Sequence, residues 1–412
     1  MLNPDAGVRA RDIISFSKSR RPSLALVVDR QSSHGEPSER VLSYLGQNPH
    51  DRPVLVLDTS IVELRFRNLS AALPDTEIYY AVKANPAPEV LARLVQAGSS
   101  FDVASRGEIE LCLAAGTDPM RLSYGNTIKR EKDIAFAHSV GVPLFAFDAE
   151  EEVRKIARAA PGADVYCRLL STGEGADWPL SRKFGCTPAM AEKLLLLAAE
   201  LGLRPRGVSF HVGSQQGDVE SWDRSIAEAA ELFAKLDAQG ICMDLVNLGG
   251  GFPARYQFDM PDVQSYGDCI RKALRRHFGS RMIRTIAEPG RSLVADAGVI
   301  RTEVVLVAKK EEADEKRWVY LDIGKFSGLA ETMEEAIRYR FRTPKDDGEM
   351  GPVVIAGPTC DSADVLYENT NYEMPLDLAA GDEVLILSAG AYTSTYSSVA
   401  FNGFAPLEVV CI

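Results

Sequence analysis

A chain of 412 residues with a formal charge of −12 at pH 7 is too long for one ordinary hydrophobic core, so two domains are expected. Its acidity argues against nucleic acid or an anionic membrane surface as a partner. Apolar residues at 46% and charged residues at 25% are the usual mix of a globular protein in water.

The opening stretch, MLNPDAGVRARDIISFSKSR, carries charges throughout and lacks the apolar centre of a signal peptide. The densest apolar run, LLLLAA at Leu194–Ala199, is bracketed by Lys193 and Glu200 and is too short to span a bilayer. Seven cysteines are scattered singly, without a CxxC pair or zinc-ligand spacing. Reduced thiols, a cytoplasmic location and no metal are expected.

In chain order, PSLALVV at 22–28 has strand character and precedes a helical stretch, TSIVELRFRNLSAAL at 59–73. Then one pattern recurs: a short β-rich apolar run ends in polar or glycine residues, and a helical stretch follows. The runs are EIYYAVK (77–83), SFDVAS (100–105), RLSYGN (121–126), PLFAFD (143–148), DVYCRL (164–169), GVSFHVG (207–213), DLVNLGG (244–250) and RTIAEPG (284–290). Between them PEVLARLVQAG, GEIELCLAAG, EEEVRKIARAA and SWDRSIAEAAELFAKLDAQG repeat apolar residues at helical spacing, and several stop at glycine. Strands alternating with helices over roughly 250 residues predict a (β/α)8 barrel; an open doubly wound sheet is the alternative. After Gly290 the texture changes: GVIRTEVVLVAKK, RWVYLDI, GPVVIAG, DEVLILSAG and PLEVVCI predict an all-β domain, and KDDGE at 345–349 an exposed loop. The expected organisation is a segment at 1–51 contributing to the β domain, a barrel at 52–290 and the β domain at 291–412.

Barrel enzymes keep their chemistry at the C-terminal ends of the strands. Lys83 ends the first run, His211 to Ser214 the sixth, Gly249 to Gly251 the seventh, and Glu288 to Arg291 the eighth. A lysine there can form a Schiff base with an aldehyde cofactor once partial burial favours its neutral amine. Consecutive glycines let backbone N–H groups approach an anion, and Arg291 adds a cation for a phosphate. Glu288 is placed to hold a pyridine nitrogen protonated; His211 is placed to stack on an aromatic ring or carry a proton. Each has a plainer explanation taken alone: a solvated loop lysine, a tight turn, a structural ion pair, a satisfied histidine. Together they describe a site for an anionic, aldehyde-bearing aromatic cofactor.

YYAVKAN, FDVAS, SFHVGSQ, LGGGFP, AEPGR, GPTCDSAD and GAYT, in this order from about residue 50 to 410, resemble the ornithine/diaminopimelate/arginine decarboxylase family, whose alanine-racemase-like fold joins a pyridoxal-phosphate (PLP) barrel to a C-terminal β domain. GPTCDSAD with GAYT and FNGF looks closest to ornithine decarboxylases; diaminopimelate decarboxylases would carry Glu at Asp361. The resemblance implies that Lys83 bonds the cofactor aldehyde, with Asp102 and Glu108 close by. It puts His211 on the pyridine face, Arg168 near the ring oxygen and Glu288 on the pyridine nitrogen. Ser214, Gly250, Gly251, Arg291 and Tyr392 would cradle the phosphate.

It further implies a homodimer in which Cys360 and Asp361 reach the active site of the second subunit, Cys360 to return a proton to Cα after CO2 leaves and Asp361 to hold the distal amine. Lys183 and Asp364 match a family pair that bridges the subunits. In the loop FSGLAETMEEA at 326–336, Glu331 or Thr332 falls where ornithine decarboxylases place a substrate-gripping aspartate. Because an added methylene changes binding by only ~1–3 kcal/mol, lysine competes with ornithine as the expected substrate. A PLP racemase would need a base on the opposite face, and a regulatory homologue without activity would have lost Lys83, Glu288 or Cys360.

Overall fold

The computed structural model describes residues 35–178 and 183–412; PSLALVV lies outside them. In chain order the first strands are β1 (Val54–Leu57), β2 (Thr76–Ala81), β3 (Ser100–Val103), β4 (Leu122–Tyr124), β5 (Leu144–Phe147) and β6 (Asp164–Arg168). Next come β7 (Ala176–Trp178), β8 (Arg204–Ser209), β9 (Ser214–Gln216), β10 (Leu245–Asn247) and β11 (Arg284–Ala287). Eight of these close into a barrel in the order β10-β11-β2-β3-β4-β5-β6-β8, every pair parallel. They are the eight runs picked out by periodicity. β7 and β9 pair separately as a small antiparallel ribbon.

Local chemistry sets the alternation. Helix Pro88–Ala97 begins with proline, buries Val90, Leu91 and Leu94, and stops at Gly98 with φ 90°, a left-handed residue that favours glycine. Helix Arg106–Ala114 is capped by the Ser105 side chain, which accepts the Glu108 N–H at 3.3 Å. Alternate barrel residues Tyr79, Leu144, Ala146, Tyr166, Leu245 and Ile286 form their own cluster, apart from the large one shared with the helices. They are the barrel's filling.

The second layer is an eight-stranded sheet. It adds β12 (Gly298–Ala308), β13 (Arg317–Leu321), β14 (Arg340–Arg342), β15 (Met350–Ala356), β16 (Val365–Pro375), β17 (Glu383–Leu387) and β18 (Glu408–Cys411). Its path is β14-β17-β12-β13-β15-β16, and β1 pairs with both β12 and β18. So this sheet takes a strand from inside the range expected to be barrel. All four residues of β1 are buried, and such a short apolar run does not reveal which sheet covers it. Val41, from helix Glu39–Gln47, packs on Val54, Val56, Val299, Leu385 and Leu387.

Two contacts dock this sheet on the barrel mouth. Buried Asn85 donates its side-chain amide to the Gly390 carbonyl at 2.8 Å, and the Tyr392 N–H donates to the Ala84 carbonyl at 2.8 Å. Tyr392 therefore sits beside Lys83. Its φ of 57° is one that side-chain-bearing residues adopt at a cost of ~1–3 kcal/mol.

Candidate active site

Strand ends deliver the site. β2 runs into a 3-10 turn, Val82–Ala84, that carries Lys83; β8 is followed by His211; β9 starts at Ser214. Gly249–Gly251 follow β10, and Glu288–Arg291 follow β11. Lys83, His211, Ser214, Gly250, Gly251, Glu288, Arg291 and Tyr392 line one pocket, completed by Ala81, Phe252 and Gly290. They come from five places along the chain.

Lys83 keeps an exposed side chain, open to the pocket but ringed by charge. Burial alone would lower its ammonium, yet Tyr392, Asp102 and Glu288 outweigh burial and Arg168, and the net effect is to raise it. The direction is opposite to the expectation that burial favours the neutral amine. Burial, then the nearby Glu288, push the Asp102 carboxyl well above the usual carboxylate range. Its Oδ1 is buried without a partner among the described residues. Glu288 Oε1 accepts from the Asn247 amide and, at 3.4 Å, from the Tyr166 hydroxyl, which also meets Ser123 Oγ at 3.1 Å. Glu108 accepts the Ala104 N–H at 2.6 Å, and burial raises its carboxyl.

His211 Nδ1 accepts the Gly213 N–H at 3.1 Å, which leaves the ring proton of a neutral imidazole on Nε2. Burial, then Arg168 and Lys83, hold the ring well below the ordinary histidine value. Gly250 packs against it: a Cβ there would stand 2.7 Å from the Glu288 carbonyl and 3.0 Å from His211 Nε2. Only glycine leaves that space to a ligand.

Arg291 is 4% exposed. It donates to Tyr256 Oη at 2.9 Å, to Ser214 Oγ at 3.2 Å and to both oxygens of Glu331 at 2.7 Å each. Its Nε–H is buried without a partner among the described residues. An unused guanidinium donor, the Ser214 hydroxyl and the glycine backbone at one end, with Lys83 and Glu288 in the same pocket, fit a phosphate-bearing pyridine aldehyde.

Other expected residues lie elsewhere. Arg168 stacks on Phe184, 5.1 Å from the ring centre; its charge reaches Lys83, Asp102 and His211, but it does not line the pocket. Glu331 was expected to face substrate; it is 6% exposed and both its oxygens are spent on Arg291. Thr332 is fully buried, its hydroxyl donating to the Leu329 carbonyl at 2.7 Å. Cys360 and Asp361 are exposed on the second layer, away from the pocket lining. The Cys360 N–H donates to Asn402 Oδ1 at 3.1 Å. Asp364 is buried and takes the Lys325 N–H at 2.7 Å and the Thr359 hydroxyl at 2.7 Å. Its carboxylate is thus already engaged within its own chain, while Lys183 is exposed.

Sequence reasoning missed Asn247, Tyr166 and Tyr256. An asparagine inside the apolar run DLVNLGG was a usable signal, because a buried amide needs partners. Tyr256 carried none, lying in a loop outside every run.

Comparison with known proteins agrees with this geometry. Residues 59–295 match the family model described as pyridoxal-dependent decarboxylase, pyridoxal binding domain. The chain is 34% identical to a lysine/ornithine decarboxylase of Selenomonas ruminantium, over 85% of this chain and 87% of that one. It is 33% identical to a chloroplastic ornithine decarboxylase of Nicotiana glutinosa, over 90% and 86%. The crystal structure of a lysine/ornithine decarboxylase from Vibrio vulnificus, complexed with cadaverine, superposes with a TM-score of 0.81 at 31% identity, covering 91% of this chain and 99% of that one. With the barrel, the second sheet and the lysine-centred pocket in place, the chain belongs to the pyridoxal-dependent decarboxylases.

Proposed function

We propose that this enzyme removes the α-carboxyl group of a basic L-amino acid, with L-ornithine as preferred substrate and putrescine as product. The observation that carries the reading is the convergence of Lys83, His211, Ser214, Glu288, Arg291 and Tyr392 on one pocket. Lys83 would hold the PLP aldehyde, Glu288 the ring nitrogen and His211 the ring face. Ser214, Gly250, Gly251, Arg291 and Tyr392 would hold the phosphate, with Asp102 and Arg168 flanking. Bound there, PLP supplies the electron sink for the pair left on Cα when CO2 departs. Glu288 keeps a proton on the ring nitrogen, which an ionised carboxylate favours. Neutral His211 packs on the ring without adding charge.

Among the described residues the pocket lining holds no cysteine, and Cys360 stands exposed on the second layer. Val399, 86% exposed, and the exposed Phe401 and Phe404 lie nearby in sequence to its partner Asn402. Exposed apolar side chains of this kind mark surfaces that other proteins cover. A homodimer, in which Cys360 of the partner subunit returns the proton and Asp361 of the partner subunit grips the distal amine, fits these observations. In the segment Ala330–Glu335 the carboxylate left without a bond is Glu334, exposed and at φ 54°, and it replaces Glu331 as the second acid for that amine. Lysine is the second substrate, favoured by the likeness to lysine/ornithine decarboxylases. A cytoplasmic location and a role in polyamine synthesis belong to the same proposal.

The test is to offer the PLP-loaded protein L-ornithine, L-lysine, L-arginine and diaminopimelate and to measure CO2 and amine. Putrescine from ornithine at the highest kcat/KM is expected. Cofactor absorbance without CO2 from any of the four would contradict it.

A further inference from the structure

Arg291, the cation of the phosphate cradle, is already neutralised by this chain. A guanidinium offers five N–H donors. Glu331 takes one from each terminal nitrogen at 2.7 Å, Tyr256 Oη takes another at 2.9 Å, and Ser214 Oγ stands 3.2 Å from the fourth. Nε is the donor left over. Tyr392 covers the face of the guanidinium, 4.9 Å from ring centre to its carbon. Both charges are almost wholly buried. Glu331 does not line the pocket, so it offers nothing to substrate, and a carboxylate behind a phosphate site repels what the site must bind.

We propose that Glu331 is the resident counter-ion of Arg291: it compensates the guanidinium while the cradle is empty and opposes the phosphate once PLP is bound. The cradle then holds phosphate mainly through the Nε–H, hydroxyl and glycine backbone donors rather than through net charge. This rests on reading the pocket as the PLP site. The physical argument is linkage. Removing one partner of a buried ion pair leaves the other charge uncompensated, at a cost of several kcal/mol. A bound phosphate compensates that charge again. Losing the Glu331 charge therefore destabilises the cofactor-free protein and, by mass action, strengthens ligands that carry phosphate. Ligands without phosphate gain nothing.

The experiment titrates cofactor-free wild type and Glu331→Gln with PLP and with pyridoxal, which lacks the phosphate, following cofactor absorbance. Inorganic phosphate is added in a parallel melting series. Expected are a lower melting temperature for cofactor-free Glu331→Gln, PLP bound at least about fivefold tighter than by wild type, and pyridoxal within about twofold. Inorganic phosphate should raise the melting temperature of the variant more than that of wild type. PLP affinity that is weaker, or gains less, overturns the proposal. If Glu331→Gln does not fold, the double variant Arg291→Gln/Glu331→Gln, which buries no unpaired charge, decides. PLP affinity within about fivefold of wild type supports cancellation, and a larger loss overturns it. Wild type that binds neither PLP nor pyridoxal would contradict the PLP reading instead, and the inorganic phosphate series would still decide the role of Glu331.

Discussion

Glu288 lines the pocket and Asp102 does not, and the two carboxyls have different partners. Glu288 receives the Asn247 amide and the Tyr166 hydroxyl. Asp102 has an oxygen without a partner among the described residues and is pushed up by burial and by Glu288. In the proposed function it is Glu288 that holds the pyridine nitrogen protonated. Glu288→Gln should therefore keep PLP bound while lowering kcat by ~10²–10⁴-fold, the range for a positioned proton-handling group. Steady-state kinetics with cofactor absorbance checks this, and a loss smaller than about tenfold would contradict it. The pocket residues Lys83, His211, Glu288 and Arg291 were legible because each ends a strand. Their partners were not: Arg291 and Glu331 lie 40 residues apart, in different layers, and no spacing rule joins them. Nor could sequence show which groups surround Lys83 and raise it.

At the scale of elements, the segment Ala330–Glu335 is a kinked pair of 3-10 turns tied at both ends. Glu331 holds Arg291, and Glu335 accepts the backbone N–H groups of Glu368, Asn369 and Thr370 and the Thr370 hydroxyl. Burial would raise the Glu335 carboxyl, but the Thr370 hydroxyl and the three N–H groups outweigh it and bring it down from 4.5 to about 2. A depressed carboxylate stabilises the fold fully above its ordinary value, and that stabilisation is lost as pH falls through the folded value. Glu335→Gln should thus melt earlier than wild type at pH 7, the gap narrowing as pH drops from about 5 toward 2. An equal gap at about pH 7 and pH 3 would contradict the assignment. The barrel strands were legible because glycine and polar residues punctuate each of them. β16, which anchors this segment, was not: its middle, Glu368 to Glu373, is polar and largely exposed, so no apolar run marks it. β1 showed as apolar but not as part of the second sheet.

At the scale of the whole molecule, barrel and sheet meet where Asn85 holds Gly390 and Ala84 holds Tyr392, which brings Tyr392 into the pocket lining within one chain. Cys360 and Asp361 are exposed and outside that lining. If each pocket is completed by a second copy, Lys83→Ala and Cys360→Ala should both be inactive alone. Mixing them equally should restore about a quarter of wild-type activity, since random exchange makes half the dimers mixed, each with one intact site. No recovery in dimers shown by mass to have exchanged would contradict the shared site. The most direct test of the lysine-centred pocket is chemical. Borohydride reduction of the PLP-loaded protein fixes the lysine–pyridoxal bond, and peptide mass spectrometry locates it. The label is expected on Lys83; a label on another lysine, or none on a protein that still releases CO2 from ornithine, would contradict the assignment.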